Sequence, residues 1–134
     1  MSLRAIPLLV IAFILYNIIV LSFGVEGLDR PIFTLRLLSG GEWSFKWSDL
    51  LLLITLILLF IEIVKATFTS TSTLIDHALS MIVFMAIGFE FLTVPQAATS
   101  TFFLIMVAAL IDVVGGYTIG IRVARRDLSI GADQ

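Results

Sequence analysis

Seven polar side chains stand inside long apolar stretches of this sequence: Glu62, Lys65, Asp76, His77, Ser80, Glu90 and Asp112. Ionisable groups in hydrocarbon are costly, and they mark ion pathways, proton relays or buried pairs. Two chemistries fit the set. The first is a structural network. Glu62 and Lys65, three apart on one helix, can form an internal ion pair. Asp76, His77 and Ser80 would bond locally, and Asp112 would bond Asn17 or a threonine. Such bonds contribute only ~0.6–2 kcal/mol each in membranes, yet another helix register would strand the same groups in lipid. The second chemistry is a proton or cation path, with Asp112 and Glu62 exchanging protons and His77 relaying at its mouth.

Other chemistries are excluded by residue type. The chain has no cysteine and one histidine, so thiolate sites and a bis-histidine haem within one chain are out of reach. No HExxH, glycine-rich phosphate loop or G-x-S-x-G elbow occurs. A carboxylate cluster could hold a hard cation, but Lys65 beside Glu62 favours ion pairing, so no metal is expected. Asp76 and His77 are adjacent and point to different helix faces, which makes them a poor acid–base pair. A non-enzymatic protein without cofactors follows as the expectation. The net charge of −2 and pI near 5.1 argue against a nucleic-acid partner.

The positioning elements are apolar helices. Of the 134 residues, 60% are hydrophobic and 13% charged, with a mean hydropathy of +1.15. Soluble domains carry roughly 45–50% apolar and 25% charged residues, so a water-soluble fold this small could not cover its apolar surface. A span needs roughly 20 mostly apolar residues. Four stretches qualify: 4–23, 49–68, 73–94 and 98–123. None shows the two-residue alternation of barrel strands. The fold expected is therefore an all-α membrane protein, a single four-helix transmembrane bundle over residues 1–134. The first span is read as an uncleaved helix rather than a signal peptide, since its apolar core is long for one.

Ser48-Asp49 is expected to cap the second helix, and Pro95 to end the third. Thr69 to Thr73 reads as a tight polar turn that makes helices two and three antiparallel neighbours. Within helix three, Asp76, Ser80, Val83, Ile87 and Glu90 share one stripe, whose apolar middle separates its polar ends. Within helix four, Ala108, Asp112, Gly116 and Gly120 form a small-residue seam, with Gly116-x-x-x-Gly120 suited to close helix approach. Residues 128–134 read as a short polar tail.

The sizeable loop between helices one and two holds two strand-like runs around Ser39-Gly40-Gly41, spanning 32–47. With those three residues as the turn, Leu37 faces Trp43, Leu35 faces Phe45 and Phe33 faces Trp47. All six would share an apolar face, with Thr34, Arg36, Glu42, Ser44 and Lys46 opposite. An isolated hairpin is marginal in water. The aromatic face must lie on the lipid interface, on its own bundle, or on a partner protein. Arg4, Lys65, Arg122, Arg125 and Arg126 would stand on one side of the membrane, and Arg30, Arg36 and Lys46 on the other. That bias predicts both termini in the cytoplasm.

Several runs together carry a family likeness. They are Glu62-x-x-Lys65-Ala66-Thr67, Asp76-His77-Ala78-Leu79-Ser80, Thr101-Phe102-Phe103-Leu104, Asp112-Val113-Val114-Gly115-Gly116 and Ala124-Arg125-Arg126-Asp127. With them the chain resembles small four-span inner-membrane proteins of proteobacteria, especially alphaproteobacteria. The resemblance covers helices two to four and the hairpin, and it implies a bacterial inner membrane and this topology, but no activity. In size and span number alone the chain is also similar to the phosphate-starvation-inducible type of small membrane protein. Two functional readings remain: an accessory or scaffold protein engaging the bilayer and a membrane-protein partner or second copy, or a small proton- or cation-linked transporter.

Overall fold

In the computed structural model, residues 5–68 and 71–132 are described. Four helices, α1 (Leu9–Phe23), α2 (Trp47–Lys65), α3 (Thr71–Thr93) and α4 (Ser100–Ala132), make up most of the chain. Two antiparallel strands, β1 (Pro31–Arg36) and β2 (Glu42–Lys46), lie between α1 and α2. Short 3-10 helices at Val25–Asp29 and Pro95–Ala97 complete the connections. Three helices, α2, α3 and α4, are long and apolar enough to cross a membrane.

The first helix is shorter than expected. It begins at Leu9 rather than residue 4 and has 15 residues, about 22 Å at ~1.5 Å per residue, against a hydrocarbon core of ~30 Å. Pro7 is the physical reason, because the residue before a proline avoids helical geometry. At the other end Gly24 adopts a φ of 75° and its N–H bonds the Val20 carbonyl, a left-handed stop that glycine takes without steric cost.

Helix α2 starts at Trp47, not 49, and ends at Lys65, not 68. Asp49 does act at its start, but from inside the first turn: its Oδ2 accepts the Lys46 backbone N–H at 3.0 Å. Ser48 is within the helix and does not cap it. Helix α3 begins at Thr71, so three of the five residues of the predicted turn are helical; Thr69 and Ser70 lie outside the described residues. Pro95 stops α3 as expected, with Val94 pushed into an extended conformation. Thr99 then caps α4, its Oγ1 accepting the Phe102 N–H at 3.1 Å. That helix continues to Ala132 through the stretch read as a tail. Apolarity ends near Val123, but Ala124 to Leu128 are competent helix formers, and no proline interrupts them.

Packing also departs from one expectation. Helix α4 lies against both α2 and α3, while α1 packs mainly on α2. Helices α2 and α3 are therefore not neighbours along their length, because α4 is inserted between them. The core centres on Phe102, fully buried, with ring centroids of Tyr16 at 4.8 Å and of Phe13 and Phe91 at 6.3 Å.

The hairpin has the expected faces in a register shifted by two residues. Leu35 pairs with Trp43, Phe33 with Phe45, Thr34 with Ser44 and Arg36 with Glu42. The three-residue turn is Leu38-Ser39-Gly40, not Ser39-Gly40-Gly41. The Gly40 N–H bonds the Leu37 carbonyl, Gly40 has a φ of 90°, and the Leu37 N–H bonds the Gly41 carbonyl. A turn of this length needs glycine at its last position, in the left-handed region, and that requirement fixes the register. Trp47 belongs to α2 and sits beside Ile19, Phe23, Gly27 and Arg30, so it leaves the hairpin face.

Candidate functional site

The polar side chains gather in two separate clusters, at opposite ends of α3. At the first, Lys65 Nζ donates to Glu62 Oε1 at 2.8 Å, to Asp76 Oδ1 at 3.2 Å and to the backbone carbonyl of Ile6 at 2.7 Å. Glu62 Oε1 also accepts the Leu8 N–H at 2.9 Å. Glu62 and Asp76 are each only 2% exposed. One ammonium and two carboxylates thus tie α2 to α3, and Glu62 and Lys65 also tie α2 to the backbone just before α1. The Glu62–Lys65 pair appears where the three-residue spacing placed it. Sequence spacing gave no sign of the α1 backbone partners, although Pro7 marks the point where helical bonding must begin.

Asp76, His77 and Ser80 do not bond one another. Asp76 turns to Lys65, His77 to α4, and Ser80 to Asp112. The His77 imidazole lies in the groove over Gly116 and Gly120: a Cβ on Gly116 would come within 2.9 Å of His77 Cε1, and one on Gly120 within 3.2 Å of Nε2. The ring of Tyr117 flanks it at 5.1 Å. The small-residue seam of α4 therefore receives a side chain, where close helix approach was expected. Asp112, 3% exposed, faces Ser80 across the α3–α4 seam, but Ser80 Oγ makes no well-formed hydrogen bond.

At the far end, Asn17 Nδ2 donates to Glu90 Oε2 at 3.1 Å and to the Phe13 carbonyl at 3.0 Å. Asn17 is thus the partner of Glu90, not of Asp112. Beside it the Tyr16 hydroxyl donates to the Gln96 carbonyl at 2.7 Å and meets Thr99 Oγ1 at 2.7 Å. Tyr16, Gln96 and Thr99 were not anticipated; a tyrosine next to the only strongly polar residue of an apolar helix was the available signal. Val83 is half-buried and Ile87 fully buried between the two clusters, so the apolar middle of the α3 stripe does separate them.

Chemically, the first cluster is closed. Each charge meets an opposite charge or a backbone group, and among the described residues no three acidic, imidazole or thiol groups are arranged to hold a metal ion. The hairpin is the opposite case. Phe33 stacks on Phe45 at 5.1 Å, and Trp43 meets both edge-on at 5.7 Å. Leu35, Leu37, Phe33 and Trp43 are all exposed, and Phe45 is half-buried. The described residues of the bundle leave this face exposed. No family model, curated protein or solved structure matches the chain.

Proposed function

We propose that this chain is a small multi-pass protein of a bacterial inner membrane, acting as a non-enzymatic accessory or scaffold subunit for a membrane-protein partner. The observation that carries the reading is the hairpin: an ordered apolar face on which Phe33, Leu35 and Trp43 remain exposed and Phe45 is half-buried among the described residues. The closed Glu62–Lys65–Asp76 cluster supports it, since groups saturated by one another are suited to holding helices rather than passing ions. Four crossings, with α1 as the short one, put Arg122, Arg125 and Arg126 beside both termini on the cytoplasmic face. Kinship with the small four-span proteins of proteobacteria belongs to the same proposal. Photo-crosslinking side chains placed at Phe33 or Trp43 in living cells are expected to capture a membrane protein. The same groups at Thr34 or Ser44 should capture none. Adducts with lipid alone from the apolar face would reject the reading.

One observation favours a second reading, a proton- or cation-linked carrier. Asp112, Ser80 and His77 are all buried on α3 and α4, and Ser80 Oγ and His77 Nε2 have no hydrogen-bond partner. Asp112→Asn keeps a hydrogen-bonding side chain but removes the exchangeable acid. For an accessory protein, proton flux into liposomes per folded molecule is expected to match lipid-only background both before and after this substitution. A flux present in the native chain and lost at least tenfold in Asp112→Asn would establish the carrier instead.

A further inference from the structure

At the end of the bundle opposite the hairpin, α4 outruns its neighbours. Gly120 is level with Ala66, where α2 has just ended: a Cβ on it would come within 3.9 Å of the Ala66 carbonyl. The helix runs on to Ala132, so Arg122, Arg125 and Arg126 stand just past the apolar spans, at the level of lipid headgroups. All three are exposed. They continue the side of α4 that faces lipid, since Val114, Thr118, Ile121 and Arg125 follow three- and four-residue steps and Arg122 lies beside them. Val114 and Ile121 are 57% and 52% exposed. Asp127 lies two turns beyond Gly120, on the packed face that carries Asp112 and Gly116, and meets Arg126 Nε only at 3.7 Å. Among the described residues Arg122 and Arg125 meet no carboxylate.

Beside these arginines the α3–α4 seam opens into a cleft of about 280 Å³, with apolar walls of Phe68, Leu74, Ile121 and Ala124. Phe68, Leu74 and Ile121 are well exposed, so the cleft opens sideways, toward acyl chains where these helices span a bilayer. Arg125 directly follows Ala124 and stands one turn beyond Ile121, at the headgroup end of the cleft. An apolar recess with guanidinium groups at its mouth fits an amphiphile with an anionic head. Guanidinium forks match phosphate oxygens two at a time. No carboxylate on this face is placed to hold the ammonium of a zwitterionic head. We propose that Arg122 and Arg125 bind the phosphate of an anionic glycerophospholipid, one acyl chain of which lies in the cleft along Leu74 and Ile121. The inference rests on the membrane-spanning part of the reading above and is independent of what the hairpin docks.

Native mass spectrometry tests this on the full chain, equilibrated in detergent with equal amounts of dioleoyl phosphatidylglycerol and dioleoyl phosphatidylcholine. Phosphatidylglycerol is expected to be retained in preference by about tenfold or more, since each basic side chain at the headgroup level contributes roughly fivefold. The double variant Arg122→Gln, Arg125→Gln should lose the preference, while Arg36→Gln, an exposed arginine of the hairpin, should keep it. Ala124→Phe fills the cleft without touching an arginine and should weaken retention about threefold or more. Glycerol 3-phosphate, a headgroup phosphate without chains, should not displace the lipid at equal concentration. Equal retention of the two lipids, an unchanged preference in the double variant, or the same loss in Arg36→Gln would each overturn the proposal. So would unchanged retention in Ala124→Phe or displacement by glycerol 3-phosphate. A hairpin that captures no partner leaves all of these outcomes as they are, so failure of the docking reading and failure of the lipid site are told apart.

Discussion

Lys65→Met is expected to be the most destabilising single change in this protein. The ammonium makes three contacts, to Glu62, Asp76 and the Ile6 carbonyl, and methionine keeps the length of the side chain while removing every one of them. Two carboxylates that are each 2% exposed would then face one another uncompensated. Removing one partner of a buried pair costs about 3–5 kcal/mol, most of it the penalty of the stranded charge. The triple variant Glu62→Gln, Lys65→Met, Asp76→Asn removes the charges together, and its glutamine can still accept the Leu8 N–H. It should recover most of the loss. Denaturation of the purified chain in mixed micelles would read both differences. Hydrogen exchange at Leu8 to Ile11 should accelerate in the single variant, because Glu62 and Lys65 hold the start of α1. A single variant that is no less stable than the triple variant would show that the cluster does not hold the helices together.

What could be read in advance from the sequence follows the range of the forces involved. Hydropathy and a strict three- and four-residue stripe are local, so α2, α3, α4 and the buried face of α3 were legible. Glu62–Lys65 was legible for the same reason, being one turn apart on one helix. Apart from Trp47, which joins α2, the hairpin faces survived a mistaken register because a two-residue slip leaves each strand side chain on its original face. The register itself depended on which glycine must be left-handed, and Gly40 and Gly41 are equal candidates until the backbone is seen. Hydropathy also misplaced the end of α4, since it reports where lipid-compatible residues stop rather than where backbone hydrogen bonding stops. Contacts set by the arrangement of helices were not legible. His77 over Gly116 and Gly120, Asn17 with Glu90, and α4 between α2 and α3 all depend on which helix lies beside which, and spacing along a chain does not encode that.

The second large effect is expected at Phe102. Its side chain is fully buried among Tyr16, Phe13 and Phe91, whereas its neighbour Phe103 is 44% exposed. In a bilayer the two positions differ in a way they would not in water. Lipid is as apolar as a protein core, so transfer contributes little and packing decides. Phe102→Ala opens a hole that acyl chains cannot reach. At ~24 cal/mol per Å³, a void of roughly 100 Å³ costs about 2–3 kcal/mol. It also removes the ring against which Tyr16 is set, loosening the Tyr16 hydroxyl from the Gln96 carbonyl and Thr99 and with it the cap on α4. Phe103→Ala presents its smaller side chain to lipid that fills the space, and should cost well under 1 kcal/mol, near the scatter of exposed substitutions. Unfolding of both variants in bicelles separates the cases. In water the exposed phenylalanine would count as a surface defect, and its removal would be neutral or favourable for solubility. In lipid it is simply interchangeable. Equal losses at 102 and 103 would mean that Phe103 is packed against another protein surface in the membrane, and the proposed docking surface of the hairpin would then extend onto α4.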